Sequence, residues 1–166
     1  MANSNVLHLL YVLFLVIHVP TTVLLDAQSV FPRSSFPSWA VELLDWHIKT
    51  NADHLVSTNP PWFLALVYCE IMLQLPFFLV GAYAIYTKRS WIRIPAIIYG
   101  AHVSTTMVPI LGDIFFGPQH GPHSLALAGI YMPYLLVPFA MMMSFALDSD
   151  PFKTGAGKKK SHQKSA

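Results

Sequence analysis

Residues 62–86 read WFLALVYCEIMLQLPFFLVGAYAIY. The run holds one carboxylate, Glu70, and no Lys or Arg. A helix rises about 1.5 Å per residue, and about 20 predominantly apolar residues suffice to cross the hydrocarbon core of a bilayer. This stretch therefore predicts a transmembrane helix with an acid inside it. Three more stretches have the same character, Val6–Leu25, Ile92–Phe116 and Leu125–Leu147, and the four spans are placed with the second at Trp62–Tyr86. The breaks between them differ in chemistry: a polar segment Asp26–Pro61 with some helix-forming capacity, a basic turn Thr87-Lys88-Arg89-Ser90, and Gly117-Pro118-Gln119-His120-Gly121-Pro122, built from helix breakers.

Composition agrees. Only 11% of the 166 residues are charged and 54% are hydrophobic, whereas a soluble domain averages about 25% charged. So few charges cannot coat a water-facing surface. The expected fold is all-α, a four-transmembrane-helix bundle with an internal lipid or ligand pocket. Residues 1–149 form one domain and 150–166 a disordered basic tail, with Lys158, Lys159, Lys160 and Lys164 among Gly and Ser. The first span does not read as a cleaved signal: no Lys or Arg precedes it, and Val23-Leu24-Leu25-Asp26 offers no small-residue cleavage pattern. Lys and Arg bias sets the orientation. Lys88, Arg89, Arg93 and the tail lysines share a side, against only Arg33 and Lys49 on the other. Both termini are thus expected in the cytosol, and Asp26–Pro61 on the lumenal or extracellular side. The single Cys, Cys69, reads as a small core residue.

Polar groups at membrane depth are costly and usually face a bundle interior. Tyr11, His18, Thr22 and Asp26 fall on one face of the first span, and Phe63, Val67, Glu70, Gln74, Phe77 and Gly81 on one face of the second. Tyr99, His102, Thr106, Pro109 and Asp113 do so in the third, and Tyr131, Tyr134 and Pro138 in the fourth. Facing these stripes inward gives a polar-lined interior, and the prolines within the spans favour gaps between kinked helices. Plainer readings stand beside this one. His18 and His102 serve equally as hydrogen-bonded packing groups, the Tyr and Thr residues as interhelical contacts, and Asp113, near a span end, as a water-facing group.

Asp26 closes the first span where the second begins, with Glu70 about two turns deeper than Trp62. The pair is expected to meet. Two adjacent carboxylates in low dielectric do not both ionise, so Glu70 is expected to hold a proton and bond to an anionic Asp26. A protonated amine on a greasy body suits such a site: the ammonium donates to Asp26 while Tyr99, Tyr134 and Phe77 offer ring faces. A sterol hydroxyl reaching Asp26, Gln74 or Thr106 suits it too.

The segments His18-Val19-Pro20, Leu25-Asp26-Ala27-Gln28, Pro60-Pro61-Trp62-Phe63, Cys69-Glu70, Gln74-Leu75-Pro76-Phe77-Phe78, Trp91-Ile92-Arg93, Pro95-Ala96-Ile97-Ile98-Tyr99, His102, Thr105-Thr106, Pro109-Ile110 and Tyr131-Met132-Pro133-Tyr134-Leu135-Leu136 together resemble the sigma-2-receptor group of the EXPERA-domain membrane proteins. They cover nearly all of residues 8–147. The resemblance implies a multi-pass protein of the endoplasmic-reticulum membrane, rough reticulum and nuclear envelope included, with a pocket opening toward the bilayer. It implies that Asp26 pairs with a ligand amine, that Glu70 supports Asp26, that Gln74, Tyr99, Thr106 and Tyr134 line the pocket, and that His18 and Leu25 lie nearby. It further implies sterol or oxysterol binding, a role in cholesterol homeostasis, a Niemann–Pick C-type cholesterol transporter as partner, and a homodimer. No cofactor, metal or nucleic acid is implied. Two departures stand out. Gly112–Ser124 is short for the group, and Lys164 lacks the second lysine of a dilysine retrieval signal.

The same superfamily contains sterol isomerases, in which a buried acid protonates a sterol double bond and a base removes a proton elsewhere. In that alternative Glu70 is the acid and Asp26 or His102 the base. The isomerases have five spans against four here, and no segment matches their His–Glu arrangement, so binding is the expectation. A structural adaptor would tolerate Asp26→Ala, and a channel is disfavoured by aromatic stripes without charged rings.

Overall fold

The computed structural model describes residues 4–152. Among them the chain forms seven α-helices: α1 (Ser4–Leu24), α2 (Ser38–Asn51), α3 (His54–Thr58), α4 (Pro61–Cys69), α5 (Leu75–Tyr86), α6 (Arg93–Phe116) and α7 (Ser124–Leu147). Helices α4 and α5 are one rod, joined by a wide turn at Glu70–Gln74. Four segments are long and apolar enough to span a bilayer: Asn5–Ser29, Pro61–Tyr86, Ser90–Phe116 and Ser124–Leu147. The chain is a multi-pass membrane protein. These bounds match the expected spans to within a few residues. From residue 153 onward the expected basic tail lies outside the described residues.

The exterior is what a lipid-facing bundle requires. Ile17, Met72, Leu73, Leu79, Ile98, Val108 and Leu136 stand exposed around it, whereas water-soluble monomers rarely expose large apolar patches. Inside, Tyr11, Leu15, Phe78, Ile85, Ile114, Met141 and Phe145 are buried.

The spans associate as two pairs. Helix α1 packs mainly on α5, and α6 on α7, while α5 and α6 meet only briefly despite their short connection. Close approach within each pair needs missing side chains. A Cβ on Gly81 would sit 3.3 Å from Leu15 Cδ1, and one on Gly100 only 2.4 Å from the Pro138 carbonyl oxygen. This small-residue packing is how helices associate where lipid removes the hydrophobic driving force.

The segment between the first two spans forms a cap rather than a loose loop. Asp26–Ser29 makes a tight 3₁₀ turn at the end of α1. Gln28 donates from Nε2 to the Leu24 carbonyl at 2.6 Å and to the Ala40 carbonyl at 3.1 Å, fastening α2 to that turn. Helices α2 and α3 end on Ala52 and Asn59, both with positive φ, the left-handed stop that ends many helices. Asp53 then caps α3, accepting from the Val56 amide at 3.1 Å.

Candidate functional site

The first wall of the site comes from α1 and the wide turn. Pro76 has no N–H to donate to the carbonyl four residues back, so a regular helix would leave that group unpaired. The chain answers one turn earlier. The Leu75 amide reaches back five residues to the Glu70 carbonyl, giving a single π-turn, a feature found frequently at functional sites. The extra residue delays the inward pattern by one step. Glu70 and Gln74 still face the interior, but Phe78, fully buried, takes the next inward position expected of Phe77. From α1, fully buried Thr22 donates its hydroxyl to Glu70 Oε1, and the Asp26 carboxyl hydrogen-bonds that of Glu70.

The opposite wall comes from α6 and α7. Tyr99, Val103, Thr106, Met107 and Ile110 project from one, Ile130, Tyr131 and Tyr134 from the other. Between the walls lies a cavity of about 200 Å³, also lined by His18, Thr21, Leu25, Asp26, Glu70 and Gln74, by Phe63 and Leu66 of α4, and by Leu44, His47 and Val56 of the cap. Eight residues named from sequence thus meet around one space: His18, Leu25, Asp26, Glu70, Gln74, Tyr99, Thr106 and Tyr134. Phe77, the ninth, is displaced by the π-turn. It stacks on the Tyr99 ring at 4.3 Å between centroids and braces that side chain. His18 is fixed by its Nδ1–H, which donates to the Phe14 carbonyl at 2.8 Å, and its ring meets Tyr134 edge-on at 4.6 Å. His102 keeps a buried Nε2 without a hydrogen-bond partner and is not among the cavity-lining residues.

A second polar cluster had no counterpart in the sequence reading. Asp53 has no exposed surface. Its Oδ2 accepts from the Tyr131 hydroxyl and from His47 Nε2, both at 2.9 Å. Asn51 lies 3.1 Å from His47 Nδ1, so an amide N–H donates there and leaves Nε2–H to serve Asp53. Burial alone pushes the Asp53 carboxyl up, but the bonds from His47, the Val56 amide and Tyr131 outweigh it and hold the group below the usual carboxylate range. This cluster ties the cap to the fourth span beside the cavity. The one available signal was local: Asp53 precedes a short apolar-periodic segment, the position of a helix N-cap. Asp113, expected to face water, is instead half-buried and pairs with His54 at 2.6 Å, a second tie from cap to bundle. Among the described residues no group of three His, Cys, Asp or Glu side chains is placed to hold a metal ion.

The sequence profile of EXPERA, the expanded EBP superfamily, matches residues 39–145. The chain belongs to that superfamily. The matched region runs from α2 to the last turns of α7, so it contains the cap, Glu70 and the aromatic wall, while Asp26 lies ahead of it. The chain is 42% identical over 151 residues to Sigma intracellular receptor 2 of Xenopus tropicalis, covering 85% of this chain and 88% of that protein. It is 38% identical over 162 residues to the Homo sapiens protein of the same name, covering 89% and 91%. A more distant relative is Efficient mitochondria targeting-associated protein 19 of Saccharomyces cerevisiae, 25% identical over 154 residues, covering 79% and 92%.

Proposed function

We propose that this EXPERA protein binds sterols or oxysterols and cationic amphiphiles in the endoplasmic-reticulum membrane, both termini cytosolic, and thereby acts in intracellular cholesterol homeostasis. The observation that carries this reading is the pairing of Asp26 with Glu70 on the wall of a largely apolar and aromatic cavity. One proton shared between the two carboxyls leaves one negative charge facing the space. A ligand ammonium supplies the opposite charge, and the Tyr99 and Tyr134 rings receive the body of the molecule. A sterol hydroxyl satisfies the same acids by hydrogen bonding. The similarity to proteins named as sigma intracellular receptors supports a receptor role. A homodimer and a Niemann–Pick C-type transporter are the partners this reading favours.

Titration with a radiolabelled amine-bearing amphiphile tests it. Asp26→Asn should abolish binding and Glu70→Gln should weaken it less, because the deeper acid serves by bonding its neighbour. Unchanged affinity in the Asp26→Asn protein refutes the reading.

The same acid pair also favours one second reading, proton transfer to a sterol double bond as in the isomerases of the superfamily. Protonated amines mimic the carbocation of that reaction, so amine binding does not separate the two. Expression in yeast lacking its own sterol isomerase does: restored sterol conversion selects catalysis, and unchanged sterols select binding.

A further inference from the structure

Helix α2 carries three stripes, each one residue out of step with the next. Ala40, Leu44, His47 and Asn51 face the bundle: Ala40 and Leu44 are buried, and Leu44 and His47 line the cavity. Ser38, Glu42, Asp45 and Lys49 form a polar stripe, with Asp45 in an exposed ion pair to Arg33. Between them runs Trp39, Leu43 and Trp46, with 56%, 43% and 61% of their surfaces exposed. At 3.6 residues per turn, one residue is a rotation of about 100°. The apolar stripe therefore points sideways, neither into the bundle nor along the charged face.

Its level is fixed by two contacts. Gln28, in the turn that ends the first span, donates to the Ala40 carbonyl, and Arg33 donates to the Val41 carbonyl at 3.3 Å. The first turn of α2 is thus held within one side chain's reach of the end of a transmembrane segment. Phe31, 51% exposed, lies on the connection between α1 and α2.

We propose that α2 is a membrane-surface helix, whose Trp39, Leu43 and Trp46 insert into the head-group boundary of the leaflet on the capped side of the cavity. Tryptophan is enriched at this boundary because its ring sits among acyl chains while its N–H stays hydrated. The flanking charged stripe completes the amphipathic pattern of helices that lie in the interface plane. The bilayer is the occupant the structure favours, because Gln28 holds the first turn of α2 to the end of the membrane-spanning segment Asn5–Ser29. Because the same helix supplies Leu44 and His47 to the cavity, the leaflet anchors the cavity's cover. The inference rests on the four spans and on α2 alone, with no ligand required.

The test uses the full chain in phosphatidylcholine nanodiscs, with three of the four tryptophans replaced by Phe in each variant. Lipid brominated near the top of its acyl chains should quench the Trp39-only and Trp46-only proteins as strongly as the Trp62-only protein, whose residue opens the second span. Aqueous iodide should leave them bright. Iodide quenching without bromolipid quenching overturns the proposal, since the stripe then faces water. Protection from both overturns it too, since a second copy or another protein then covers the stripe. Should these variants fail to fold, a nitroxide at Leu43→Cys in a Cys69→Ala background decides the matter with every tryptophan in place. Greater collision with dissolved oxygen than with an aqueous nickel chelate supports insertion, and the reverse order refutes it.

Discussion

Replacing Tyr131 by Phe removes a single oxygen, and the structure sets what that should cost. The hydroxyl donates to Asp53 Oδ2 at 2.9 Å, and Asp53 has no exposed surface. Side-chain hydrogen bonds between spans contribute only about 0.6 kcal/mol on average, because the unfolded chain in the membrane finds other partners. Here the acceptor is a carboxylate outside the spans, held ionised by three donors, and bonds to charged groups contribute about 1.5–3 kcal/mol against about 0.5–1.5 for neutral ones. Tyr131→Phe should therefore destabilise the protein by about 2 kcal/mol. In an Asp53→Asn background the lost bond is neutral and the same change should cost about 1 kcal/mol, a coupling of about 1 kcal/mol. Equilibrium unfolding of the four proteins in mixed micelles measures the cycle. Equal costs for Tyr131→Phe in both backgrounds would show that the hydroxyl does not sense the charge, and the cap would then be held by something else.

The same contacts set further outcomes. The Asp53 carboxyl is held below its ordinary value of 3.8, so it contributes stability above that value, and the contribution disappears as pH falls below it through the lower folded value. An acid titration of stability should show this loss in the parent protein, a smaller one in Tyr131→Phe and none from this source in Asp53→Asn. Gly100→Ala places a methyl 2.4 Å from the Pro138 carbonyl and 2.7 Å from Met142 Cβ. It should force α6 and α7 apart and cost about 1–3 kcal/mol. Gly112→Ala in the same helix meets nothing within 4 Å and should stabilise by about 0.5–1 kcal/mol. Thermal melts of the two variants in one detergent compare them directly.

The spans were legible because lipid imposes a length, and the chain marks each end with charges, glycine or proline. The acidic pair was legible for the same reason: Glu70 has no cation near it along the helix, and Asp26 closes the span antiparallel to it. The exchange of Phe77 for Phe78 was not, although its cause, Pro76, stands in the sequence. A proline can be answered by a kink, a break or a π-turn, and tertiary packing selects among them. The Asp53 cluster and the His54–Asp113 pair were hidden by distance along the chain. Tyr131 is 78 residues from Asp53 and Asp113 is 59 from His54, and no periodicity within one segment reports on partners in another. The association of α1 with α5 and α6 with α7 was hidden too, since a short connecting turn suggests neighbours where the chain makes few contacts.

That pairing explains where the cavity lies and how it would respond to a ligand. The two halves are pinned by directional bonds at both ends. Near the chain termini Tyr11 donates to Ser144 at 3.1 Å, and at the cap Asp53 and Asp113 receive Tyr131 and His54. Between these ties the halves meet through rings: His18 on Tyr134, and Phe77 and Phe78 on Tyr99. Ring contacts slide over a range of offsets at small cost, whereas a buried charged bond does not. The middle of the bundle is thus the part that can part without breaking what holds the fold. Thr22, Asp26 and Glu70 belong to one half, and Tyr99, Thr106 and Tyr134 to the other. Under the proposed function the cation of an amphiphile and its apolar body are gripped by opposite halves, so a ligand that carries only one of the two cannot draw them together.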